Sequence, residues 1–214
     1  MKNIACVFSF TESTWVSCQK IVFNLHQCYE KCPDVKISNF NYSENLKEEE
    51  IFFLAKNIAQ LKPDVISIID HKPHPFKLIE FLYKRYYKGQ TNDKKKEEET
   101  EIKPKFIIHL FGDFSLYYSE WKKSAEFLEY FEVEFVAASD RQKILVDKFI
   151  KPHLKSHICP FPINEKEFHF NPDLRDQQRS FWGLERDEVA YVFTGRLSRQ
   201  KRIHQLINTF STFI

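Results

Sequence analysis

Short apolar runs alternate with stretches of helical period, and this alternation limits the fold more than any other feature of the chain. The runs cover residues 3–10, 35–40, 64–69 (DVISII), 105–110 (KFIIHL), 134–138 and 157–163, with a seventh at 189–193. Each is only a few residues long and rich in Val, Ile and Phe, as a strand buried on both faces requires. Helical spacing fills the intervals. Ile51, Leu54, Ala55 and Ile58 share a stripe in residues 48–61, which Lys62-Pro63 ends. Residues 76–87, 119–131, 140–150 and 173–182 supply further helices, and Ser139 is placed to cap the helix that starts at Asp140. Strand-helix alternation of this kind predicts an α/β protein with a Rossmann-like, doubly wound parallel sheet. Ligands of such sheets bind outside the carboxyl ends of the strands.

In the first helix Cys18, Ile21, Val22, Leu25, Cys28, Tyr29 and Cys32 keep helical spacing, which assigns the cysteines to a core stripe. Cys28 and Cys32 are also spaced as metal ligands, but no second pair of ligands lies near them in sequence. Five cysteines form no regular framework and read as reduced cytosolic thiols. Residues 89–103 (GQTNDKKKEEETEIK) are charged and almost free of apolar side chains, as in an exposed loop inserted between helix and strand.

Polar residues cluster where the predicted strands end. Asp70, His71 and His74 follow the third run, among two prolines that make a turn without help from function. His109 lies near the end of the fourth, as a core histidine or a site residue, and Asp113 stands in its exit loop. The last run closes with Thr194-Gly195. Ile203, Leu206, Ile207 and Phe210 then form a helical stripe, with Ser198 as a candidate N-cap. Arg196, Arg199, Lys201 and Arg202 crowd the start of that helix, where cations are unfavourable by about 0.3–1 kcal/mol each. They form a solvated basic turn or the cradle of a bound phosphate.

The stretch FTGRLSRQKRIHQLINTF resembles the donor-diphosphate motif of the retaining family 4 glycosyltransferases, which have the GT-B fold. That motif is a strand ending in Gly-Arg-Leu, a Lys five residues after the Arg, and an amphipathic helix. The resemblance implies that Gly195, Arg196 and Lys201 bind the diphosphate of a nucleotide-sugar. It implies that His109 and Asp113 stand at the catalytic position, and that Asp70, His71 and His74 line the acceptor side of the cleft. It implies three segments: an acceptor-side domain over residues 1–160, an interdomain linker over 161–188, and the opening strand and helix of a donor-binding domain over 189–214. On this reading the chain carries the larger part of a glycosyltransferase and is expected to be inactive as 214 residues. The donor is a substrate, so no cofactor is expected, and no metal. The acceptor would be a glycan, a lipid or another molecule. A non-catalytic module of the same fold that binds a glycan or a protein is the competing expectation.

Composition excludes several classes. Lys and Arg total 32 against 30 for Asp and Glu, and a net charge of +2 gives no electrostatic footprint for nucleic acid. Four glycines in 214 residues disfavour the glycine-rich loops of dinucleotide-binding proteins. No apolar run reaches the length of a membrane span, which leaves only peripheral membrane contact open. The amino terminus has neither the basic region nor the cleavage site of a signal peptide, and the expected location is cytoplasmic.

Overall fold

The computed structural model describes residues 1–8, 16–43, 45–69, 75–84, 103–110, 117–123, 125–150 and 155–212. The chain divides into two compact units, Met1–Asn164 and Glu165–Ile214.

The first unit is an all-parallel, six-stranded sheet with helices on its faces, which is a Rossmann-like α/β fold. Its elements in chain order are β1 (Lys2–Phe8), α1 (Val16–Glu30), β2 (Val35–Asn41), α2 (Glu48–Leu61), β3 (Val65–Ile69), α3 (Pro75–Leu82), β4 (Lys105–Leu110), α4 (Tyr118–Lys123), α5 (Ala125–Tyr130), β5 (Val133–Ala137), α6 (Asp140–Phe149) and β6 (Lys155–Ile158). The strands lie in the order β2-β1-β3-β4-β5-β6, so the winding reverses between β1 and β3.

The register separates the two faces. Partnered residues of parallel strands share a face, and the face alternates along each strand. Ala5, Val7, Ile66, Ile68, Phe106, Ile108, Leu110, Val133 and Phe135 therefore look one way. They form the main core with Ile51, Ala55 and Ile58 of α2, Leu78, Ile79 and Leu82 of α3, Trp121, Leu128 and Val146. Trp121 anchors this layer edge-on, with ring centroids 4.5 Å from Phe76 and 5.9 Å from Phe135.

The opposite face carries Cys6, Ser67, Ile69, Ile107, His109, Glu134, Val136, Lys155 and His157. Helix α1 covers its β1–β3 end, where Val22 and Leu25 pack on Ile69 beside Phe8 and Phe161. Toward β6 the same face turns polar. Glu134 accepts from Lys105 at 2.7 Å and meets His157 Nε2 at 3.0 Å, while Lys105 also lies 3.2 Å from Glu132. These contacts hold the Lys105 ammonium above its usual range and the Glu134 carboxyl below its own, the mutual hydrogen bond being the main cause in both.

Local signals set the ends of the elements. Lys47 N–H donates to Glu50 at 2.7 Å and closes the start of α2. Lys62 ends α2 in the left-handed region at φ 47°, just before Pro63. Ser139 Oγ accepts from Gln142 N–H at the start of α6. Strand β6 stops at Ile158, short of the expected Ile163. Pro160 and Pro162 have no N–H to donate to a ladder. The helix expected over residues 119–131 is described as α4 and α5, and residue 124 between them lies outside the described residues. Cys28 and Cys32 are exposed and so correct the core assignment of those two; the side chain of Cys18 lies outside the described residues. Cys32 stands beyond the last residue of α1, and the helix turns Leu25 and Tyr29 inward instead. The charged insertion falls on residues outside the described set, apart from Lys103, whose Nζ lies 3.5 Å from the centroid of the Tyr130 ring. No described helix is long and apolar enough to cross a membrane.

The second unit contains α7 (Pro172–Phe181), a 3-10 turn at Arg199–Lys201 and α8 (Ile203–Phe210). Asn171 caps α7 through its side chain, which accepts from Leu174 N–H at 3.0 Å, with Pro172 at the first helical position. The expected strand at residues 189–193 forms no ladder. A strand needs a neighbour to accept its hydrogen bonds, and among the described residues this unit supplies none. Its apolar side chains stay exposed, including Val189, Tyr191 and Val192. Tyr191 packs on α8 through Phe210, with ring centroids 4.9 Å apart.

Candidate functional site

Two groups of residues carry chemistry, one in each unit. In the first unit they meet under α1. Tyr29 lies near the carboxyl end of α1, and its hydroxyl reaches β3 and β4. The hydroxyl lies 2.7 Å from His109 Nε2 and 3.1 Å from Ser67 Oγ. The Tyr29 and His109 rings meet edge to face at a centroid separation of 6.2 Å. Cys6 is the register partner of Ser67 on β1 and is fully buried.

Burial controls the protonation of this cluster. His109 is 7% exposed, and desolvation pushes its imidazole down to about 4, so the ring is neutral at pH 7. The same cause pushes the Tyr29 phenol and the Cys6 thiol up to about 12 each, which keeps both protonated. Uncharged groups joined by hydrogen bonds are the inexpensive way to keep polar atoms inside a sheet-helix layer.

Tyr29 and Ser67 were not among the candidates that sequence reasoning singled out. The signal for Ser67 is a hydroxyl within the otherwise apolar run DVISII, since a polar group in a buried strand needs a partner. His109 sits one residue before the carboxyl end of β4, beside Ile69 at the end of β3. Asp70, His71 and His74 follow β3, and Asp113 follows β4. All four lie outside the described residues.

In the second unit the expected turn is present with a different geometry. Gly195 allows a close approach: a Cβ there would stand 3.0 Å from Phe193 Cζ. Ser198 does not cap an α-helix. Its backbone is extended, its side chain makes no cap bond, and the next three residues wind as a 3-10 turn closed by Lys201 N–H to Ser198 O at 3.0 Å. Arg202 then takes φ 50° in the left-handed region before α8 begins at Ile203. The first turn of α8 contains no acidic residue, and its cap position gives no side-chain acceptor. Arg199 and Lys201 lie in the 3-10 turn, Arg202 is the cap residue of α8, and Arg196 precedes them in sequence, all four exposed. Among the described residues no three His, Cys, Asp or Glu side chains group as a metal site.

Comparison of the chain with protein-family models and with curated proteins returns no match. The functional reading therefore rests on the residues themselves.

Proposed function

We propose that this chain belongs to a nucleotide-sugar-dependent glycosyltransferase that acts with retention. The sheet unit would serve the acceptor, and the second unit would open the donor site. The observation that carries the reading is the basic turn ahead of α8. It has the Gly-Arg-Leu and Lys spacing of a diphosphate motif, with Arg196 and Lys201 five residues apart, and it leads into a helix start with no acidic residue and no side-chain cap. Helix N–H groups with nearby cations bind phosphate oxygens, and the same charges stabilise a departing diphosphate. The nucleotide-sugar is a substrate, and the acceptor a glycan or lipid hydroxyl.

The test is a sugar-transfer assay on the complete gene product with UDP-, GDP- and ADP-sugar donors. Arg196→Ala or Lys201→Ala is expected to lower turnover by about 10²-fold, the scale for removing one charge stabiliser from a transition state. Unchanged kinetics in both variants would remove the phosphate role.

A second reading is favoured by one observation: Nε2 of His109 is already bonded to Tyr29 in a site only 7% exposed. A histidine committed in this way at the carboxyl end of β4 suits a non-catalytic module that binds a glycan or a protein. Binding of an oligosaccharide without turnover of any nucleotide-sugar would select it.

A further inference from the structure

We propose that Tyr29, whose oxygen accepts from Ser67, is a positioning residue that holds His109 in the Nδ1–H tautomer, so that the ring offers a hydrogen-bond donor at the carboxyl end of β4 and no base. The argument is a count of hydrogens. The Ser67 hydroxyl, the Tyr29 hydroxyl and the neutral His109 ring each own one polar hydrogen, and each can also accept. An arrangement in which the Tyr29 oxygen accepts from both Ser67 and Nε2–H strands the phenol hydrogen, because Ser67 and His109 are the hydroxyl's hydrogen-bond partners among the described residues. Two others put the Tyr29 hydrogen into one of the contacts of 3.1 Å and 2.7 Å.

In one, Nε2–H donates to the Tyr29 oxygen and the Tyr29 hydroxyl donates to Ser67 Oγ. The Ser67 hydrogen then has nowhere to go. Ser67 has no solvent exposure, and Tyr29 is its only side-chain partner among the described residues. Stranding a buried donor costs about 1–3 kcal/mol. In the other arrangement Ser67 donates to the Tyr29 oxygen and Tyr29 donates to Nε2. Both hydroxyl hydrogens are used. The stronger acid of the two hydroxyls also faces the better acceptor, an imidazole nitrogen, in the shorter of the two bonds. Burial supports this chain by keeping the phenol protonated and the ring neutral. The ring hydrogen must then reside on Nδ1.

The hydrogen bonds of His109 among the described residues are confined to Nε2, which leaves Nδ1–H for a ligand. An N–H at that position takes an oxygen acceptor, such as a hydroxyl or ring oxygen of a sugar. This assignment of the ligand rests on the acceptor role proposed above for the sheet unit; the tautomer does not. A histidine held this way does not abstract the proton of an incoming hydroxyl through Nε2, because Tyr29 occupies that atom.

Nitrogen-15 NMR of the imidazole side chains, on the chain without ligand at pH 7, tests the tautomer directly. His109→Gln identifies the resonances. The expected spectrum shows a neutral ring protonated on Nδ1 and bare on Nε2. Tyr29→Phe removes the donor and should shift the ring toward the Nε2–H form that free histidine prefers. Ser67→Ala should leave the Nδ1–H form in place, because Tyr29 still donates. A wild-type ring protonated on Nε2, or a mixture of tautomers, would overturn the proposal. The wild-type spectrum decides the matter even if a variant fails to fold. A failed transfer assay with the expected spectrum would overturn only the glycosyltransferase reading.

Discussion

The buried imidazole of His109 should make the sheet unit lose stability in mild acid, and the size of the loss follows from its burial. In the unfolded chain the group titrates near 6.5, while in the folded protein desolvation holds it down to about 4. Between those values the unfolded state binds a proton that the folded state refuses. Stability therefore rises with pH across this window, by at most about 1.4 kcal/mol per pH unit, and is level above it. The whole interval corresponds to about 3 kcal/mol, a large part of the 5–15 kcal/mol that holds a typical domain together.

Neighbouring groups do not blur the window. Tyr29 and Cys6 are pushed up to about 12 and stay protonated throughout. His26 is also lowered by burial and adds a loss of the same sign. The Glu134 and Asp147 carboxyls are lowered by their hydrogen-bonded cations and lose their contribution as pH falls through their own range. These three are common to wild type and to His109→Gln, whose amide oxygen can still accept from Tyr29 but does not titrate. The assay is urea unfolding of both proteins at intervals from pH 4.5 to 8. The difference in their stabilities should change by roughly 2–3 kcal/mol over that span, with wild type gaining as pH rises. Parallel curves would show that His109 is free to protonate in the folded state, and the neutral cluster under α1 would be wrong.

Two further changes probe the backbone signals. Arg202 holds φ 50°, where a side chain costs about 1–2 kcal/mol and glycine does not, so Arg202→Gly should stabilise the start of α8 by up to about 1 kcal/mol. Slower hydrogen exchange of the α8 amides would record it, and faster exchange would count against a left-handed turn. Ser139→Ala removes the acceptor of Gln142 N–H and should cost about 1 kcal/mol in urea unfolding, whereas an unchanged midpoint would mean that the 3.4 Å bond contributes nothing.

Most of the sheet unit was legible because its inner strands are largely buried. β4 falls on KFIIHL as expected, and β3 on DVISII without its first residue. α2 keeps the expected bounds because Lys62-Pro63 leaves it no way to continue. Hydrogen bonding explains the misses. The run at 189–193 has the composition of a buried strand, but composition does not supply a partner edge. The prolines that shorten β6 were visible, and their missing N–H groups outweigh the apolar pattern around them. Ser198 looked like a cap because caps are recognised by residue type. The three residues after it wind more tightly than an α-helix, and the left-handed Arg202 separates them from α8.

The candidate site was legible residue by residue and not as a cluster. His109 stands out in sequence as the one polar side chain of KFIIHL after its first lysine, and Ser67 as the hydroxyl in DVISII. What joins them is Tyr29, 38 positions from one and 80 from the other. No spacing rule reaches across such distances, because strand order and register decide which residues meet. Once β3 and β4 are neighbours, with Ile69 beside His109, Ser67 and His109 must share a face. A helix crossing that face must then either satisfy them or leave two polar groups buried without partners. An apolar residue at position 29 would leave both orphaned at a cost of about 1–3 kcal/mol each. The tyrosine that continues the apolar stripe of α1 is therefore required by the strands beneath it. Its hydroxyl, with one hydrogen to give and one to receive, fits the serine and the histidine only in the direction that ends on Nε2.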